Sequence, residues 1–107
     1  MKKHTGYMVV LMTAKDAEEA QSIVRALLQD KLIACGNIVK DVQSFFWWEG
    51  KIDAAKESLV VMKAQRSKLP KLIKKIKSLH SYSVPEIIAL PIIGGNADYL
   101  RWIDESS

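Results

Sequence analysis

The sequence predicts an α+β fold, a ferredoxin-like βαββαβ sandwich with a short C-terminal helix. Three observations carry that expectation. Apolar, β-rich runs at residues 7–12, 32–48, 57–65 and 86–92 alternate with two stretches of helical periodicity in the order βαββαβ. The second and third runs are separated by the turn Glu49-Gly50-Lys51, so they form a hairpin that joins two βαβ-like halves. No period of 20 to 50 residues repeats and no linker divides the chain, so residues 1–107 read as a single domain.

Each element follows from its own residues. The first run, YMVVLM, is apolar on both faces, as a central strand is. Asp16 caps the next helix, with Glu19 three positions on, and Ala20, Ile23, Val24, Leu27 and Leu28 recur along one side. Lys40-Asp41 interrupts the second strand and reads as a bulge. Ser67 is expected to cap the second helix, in which Pro70 is tolerated because first-turn N–H groups lack intrahelical partners. Its apolar stripe is Leu69, Leu72, Ile73, Ile76 and Leu79. Pro85 bars helix at Val84, so the chain enters its last strand there. Gly94-Gly95 ends that strand, and a terminal helix beginning at Asn96 or Ala97 places Tyr99, Leu100, Trp102 and Ile103 on one face.

Two features of this plan call for a partner. Both main helices cover one face of the sheet, yet strands one and four are apolar on both faces, and the final helix is too short to cover the second alone. The hairpin is also long: its first strand, about 17 residues at roughly 3.3 Å each, spans about 55 Å, against roughly 33 Å for a compact domain of this size. Phe45 and Trp47 point to one side of the ribbon, Phe46 and Trp48 to the other. A projecting ribbon with rings on both sides needs a neighbour to grip.

Charge and composition exclude several classes. The net charge is +4, and most of the positive charge falls in residues 68–77, opposite a helix's apolar stripe, which reads as a solvated face. Stacking aromatics are absent from the strands an RNA-recognition domain would use, so no nucleic-acid partner is expected. The longest uncharged run, residues 87–97, is far below the roughly 20 residues of a membrane span, and Met1-Lys2-Lys3-His4 leads into a strand rather than a signal-peptide core. A cytoplasmic protein without a membrane partner is expected. Cys35 is the only cysteine, so it forms no intrachain disulfide. There is no phosphate loop, HExxH, CxxC or nucleophile elbow.

The stretch LHSYSVPEIIALPI, residues 79–92, crowds an imidazole, hydroxyls, a phenol and a carboxylate in front of an apolar strand. Read from chemistry alone, it is either a loop whose His80 complements a helix C-terminus, or a site in which His80 acts as acid or base with Glu86 or Tyr82 as its orienting partner.

Three separated blocks then point one way: Ala-Cys-x-Asn-Ile at residues 34–38, Trp-x-Gly-Lys-Ile at 48–52 and His-x-Tyr-x-x-Pro-Glu-Ile at 80–87. In order and spacing they resemble the CutA family of divalent-cation tolerance proteins, over nearly the whole chain. The resemblance implies a homotrimer similar in architecture to the PII signalling proteins, with no established enzyme activity and with copper binding attributed to some members. It implies that Cys35, Lys63, His80, Tyr82 and Glu86 belong to a cleft near the subunit boundary. Cys35 and His80 are its candidate metal ligands, and Lys63, His80, Tyr82 and Glu86 its candidates for binding a small ligand. Copper or another divalent cation, weakly held, is the cofactor it implies. The chain departs from the family pattern at Gly36, Lys40-Asp41, Ser81 and Ser83, where the family usually has a bulky aliphatic, Pro-Gly, Pro and Glu.

Overall fold

The computed structural model describes residues 5–107; the Met1 to His4 leader reading lies outside the described residues. The chain runs β1 (Tyr7–Ala14), α1 (Ala17–Gln29), β2 (Cys35–Trp48), β3 (Lys51–Gln65), a 3-10 turn (Arg66–Lys68), α2 (Leu69–Leu79), β4 (Ile87–Pro91) and α3 (Ala97–Ser106). The four strands form one antiparallel sheet in the order β2-β3-β1-β4. This is the expected α+β, ferredoxin-like arrangement.

Alternation sorts the side chains into two layers. Met8, Val10 and Met12 of β1 and Val60, Met62 and Ala64 of β3 pack with Ile23 and Leu27 of α1 and Leu72 and Ile76 of α2 in one buried cluster. On the opposite face, register places Cys35, Lys63, Val9 and Leu90 in one rung and Asn37, Val61, Leu11 and Ile88 in the next. α3 covers only one end of that face. Its Ile103 is fully buried, and Gln65 Nε2 donates to the backbone carbonyl of Ser107 at 3.0 Å.

Local chemistry explains the ends of the elements. Asp16 accepts from the Glu19 N–H at 2.8 Å, as the cap predicts, while Glu19 Oε1 accepts from the Lys15 N–H instead of the cap's own. At the other end of α1, the Lys31 N–H bonds to the Leu28 carbonyl and the Leu32 N–H to that of Leu27, a Schellman closure with Lys31 at φ 58°. Leu32, Ile33 and Ala34 consequently plug the core before β2 begins, so the strand starts at Cys35 and not at Leu32.

Two other boundaries also correct the sequence reading. Ser67 caps nothing: it lies inside the 3-10 turn, α2 starts at Leu69, and Lys68 at the cap position makes no side-chain cap bond. The ladder of β3 runs to Gln65 and the Arg66 N–H bonds to Gly6, which leaves room for only one tight turn before the helix. β3 also starts at Lys51 instead of Glu57. Glu49 and Gly50 both have positive φ, 48° and 76°, so they make a two-residue turn of the kind whose twist matches a hairpin, and pairing starts at once with Trp48 opposite Lys51.

The bulge falls where expected. Pairing between β2 and β3 shifts between Val39 and Val42, with Asp41 at φ 59°. Beyond it the ribbon leaves the body, and the molecule's longest dimension is 44 Å. Phe45 is 71% exposed and Trp47 73%.

Gly36 has a packing role. A Cβ there would lie 2.9 Å from Val24 Cγ1, so its absence lets α1 sit close on β2. Gly36→Ala is therefore expected to cost about 1–3 kcal/mol by overpacking. In urea denaturation the pair Gly36→Ala and Val24→Ala should cost clearly less than the sum of the two single changes. Strict additivity would show that the two residues do not compete for one space.

Candidate functional site

The candidate residues fall into two groups at opposite ends of the open face. In the first, Cys35 and Lys63 are direct cross-strand partners on β2 and β3. The Lys63 ammonium donates to Asn37 Oδ1, and Cys35 Sγ lies 3.7 Å from the Tyr99 hydroxyl of α3. Burial, followed by the hydrogen bond and charge of Cys35, raises the Tyr99 phenol above its ordinary value.

The second group gathers where β1 ends. His80 follows the last residue of α2, and its ring is buried. Its Nδ1 accepts the Tyr82 N–H at 3.0 Å, so the ring proton belongs on Nε2, which donates to the Thr13 carbonyl at 2.7 Å. Both ring nitrogens are thus engaged with backbone. Coordination of a metal, or proton transfer, at His80 requires breaking one of these bonds. The Tyr82 hydroxyl donates to Glu57 Oε2 at 2.7 Å, and the Ser81 N–H to Glu19 Oε2 at 2.8 Å. Glu86 stands exposed just ahead of β4.

A single subunit does not bring the two groups together. Cys35 shares a rung with Val9, whereas His80 bonds to Thr13, roughly 13 Å further along β1 and about 10 Å across the sheet. Among the described residues no three His, Cys, Asp or Glu side chains cluster as a metal site. One chain therefore offers Cys35 and His80 as isolated donors and does not fit a closed metal cage. Sequence reasoning missed Glu57 and Glu19, the carboxylates that hold the loop. The available signal was parity: Glu57 lies six residues before Lys63, hence on the same face of β3.

The Glu19 carboxylate carries a pH signature. Burial alone would raise its pKa, but hydrogen bonds from the Ser81 hydroxyl and from the Lys15 and Ser81 amides together lower it. A lowered folded-state value means its contribution is present above the ordinary glutamate value of 4.5 and is lost as pH falls through the folded value. Protection of the Ser81 amide from hydrogen exchange should therefore fall on acidification below about pH 4.5 relative to an α1 core amide such as that of Ile23. In Glu19→Gln that difference should be pH-independent. An unchanged acid dependence in the variant would assign it to another group.

No helix among the described residues is long and apolar enough to cross a membrane. Comparison with known proteins agrees with the geometry. The chloroplastic rice protein CutA 1 is 41% identical over 100 residues, which cover 94% of this chain but 56% of that one, so this chain spans little more than half of its rice relative. The divalent-cation tolerance protein CutA of Thermus thermophilus is 42% identical over 99 residues, 92% of this chain and 96% of that one. The crystal structure of rice CutA1 superposes with a TM-score of 0.94 at 39% identity, covering 99% of this chain and 97% of that one. Residues 8–106 match the family described as CutA1 divalent ion tolerance protein, and the chain belongs to that family.

Proposed function

We propose that this protein is a non-enzymatic homotrimer of PII-like architecture that binds a metal ion or small ligand in clefts between subunits and takes part in divalent-cation tolerance. The observation that carries this reading is the separation of the two polar groups. Cys35 with Lys63, and His80 with Tyr82, lie too far apart in one chain to touch a common small ligand. A cleft that uses both sets takes one from each of two copies, and a closed ring of identical contacts repeats that cleft three times.

The apolar surfaces support the same assembly. The rings of the hairpin stand in water in the single chain, as do Ile88 and Leu90 on the open face. Burying the exposed part of a ring such as Phe45 or Trp47 removes about 100–180 Å² from water, worth on the order of 3–4 kcal/mol before ordering costs. Two rings per subunit already outweigh the exposed ion pairs Lys75–Asp30 and Arg101–Asp98, at about 0–1 kcal/mol each.

The enzyme alternative, with His80 as acid or base, is the weaker reading because both ring nitrogens are bonded to backbone groups. Signalling through ligand occupancy fits the intersubunit position of the cleft. The cytoplasmic setting suits a lone thiol that must stay reduced to bind a soft ion.

Cys35 is the soft donor of this cleft, and copper is the ion it suits best. In calorimetric titration with copper ions, Cys35→Ser is expected to lose at least tenfold in affinity, while His80→Ala, once shown to fold, retains the Cys35-dependent binding. Equal stoichiometry and affinity in Cys35→Ser and the parent would remove Cys35 from any metal site. If no panel of metabolites or metal ions raises the melting temperature in a saturable way, the cleft reading itself fails.

A further inference from the structure

The loop at the candidate cleft is held by a carboxylate from another element. We propose that Glu57 is a positioning residue, fixing residues 81–86 from the root of the hairpin; the inference rests on the reading of that segment as a cleft wall. Three features meet at Glu57. It is the first β3 residue beyond the last β1 pair, Ala14 with Ser58, so β3 leaves the body of the sheet there. It faces Val42, where β2 resumes pairing after its bulge. It is also only 9% exposed, and its Oε2 accepts the phenolic proton of Tyr82.

Donor counting shows why this bond fixes more than one ring. Tyr82 has a single O–H proton, and Glu57 takes it, so toward any ligand the phenol oxygen can only accept. The Tyr82 N–H goes to His80 Nδ1, and the remaining ring proton of His80 goes to Thr13. Glu57, Tyr82, His80 and Thr13 thus form one relay from hairpin root to the end of β1. Burial, followed by the hydrogen bond and charge of Glu57, raises the Tyr82 phenol well above its ordinary value. A displaced hairpin root carries Glu57 with it, and Glu57 carries Tyr82. Gripping of the ribbon by a second copy and the shape of the cleft wall are set by the same bond.

Amide hydrogen exchange on the intact 107-residue chain tests this without any ligand. The Tyr82 N–H, bonded to His80, is the reporter, and the Val10 and Met62 amides of the central strands are the controls. Glu57→Ala and Tyr82→Phe should each speed exchange of the backbone amide at position 82 about tenfold or more, as loss of a hydrogen bond to a charged acceptor implies. Glu57→Gln, whose side-chain carbonyl still accepts the phenolic proton, should stay within about threefold of the parent. The double variant Glu57→Ala with Tyr82→Phe should exchange no faster than either single one. Unchanged exchange in both single variants, additive effects in the double, or acceleration spread equally to Val10 and Met62 would overturn the proposal. If Glu57→Ala does not fold, Tyr82→Phe against Glu57→Gln decides. A protein that binds no ligand at all refutes the cleft and leaves this exchange result standing, so the two failures are distinguishable.

Discussion

Every second side chain of the four strands points away from α1 and α2, and the second face so formed carries Val9, Leu11, Val61, Ile88 and Leu90. The chain supplies α3 to cover one end of it, anchored by Ile103 and by the bond from Gln65 to Ser107. The remainder is left to solvent, with Ile88 47% exposed beside Leu11 and Leu90 46% exposed beside Val9. A sheet with two apolar faces and helices for one has an unmet demand for burial, of which the exposed hairpin rings are the second part. The proposed assembly answers both demands with copies of the same chain.

The same constraint shapes the candidate site. Polar groups on an otherwise apolar face must be bonded or wet, and here they are bonded to one another or to backbone. Lys63 leans on Asn37 at one end, while Tyr82 and His80 are tied to Glu57 and Thr13 at the other. Leu11, Val61 and Ile88 form an apolar row across the next rung, with Asn37 at its β2 edge. In the proposed assembly, ligand binding and contact between copies use the same surface. The bulge between Val39 and Val42 adds the bend that sends the ribbon outward from that surface.

Much of this was legible in the residues, wherever the physics is local. Asp16 caps α1 because a short side-chain oxygen placed three residues before an N–H finds it, and Lys40-Asp41 bulges because nothing apolar there holds register. Local chemistry misled at Ser67, where the end of the β3 ladder fixed the turn before a hydroxyl could cap it. The first half of β3 was missed because its residues gain a strand from the register of their aromatic partners and not from their own propensity. Glu57 and Glu19 were invisible as loop clamps for a further reason. Parity puts Glu57 on the open face, but its bond to Tyr82 and that of Glu19 to Ser81 cross 25 and 62 residues, and no periodicity names such partners.

The central claim is that the open face and the hairpin are closed by copies of this chain. Sedimentation equilibrium at low micromolar concentration tests it most directly. The account predicts a single species at three times the chain mass of 12.0 kDa, with no dissociation over a tenfold dilution. A stable, folded 12.0 kDa monomer under those conditions would contradict it.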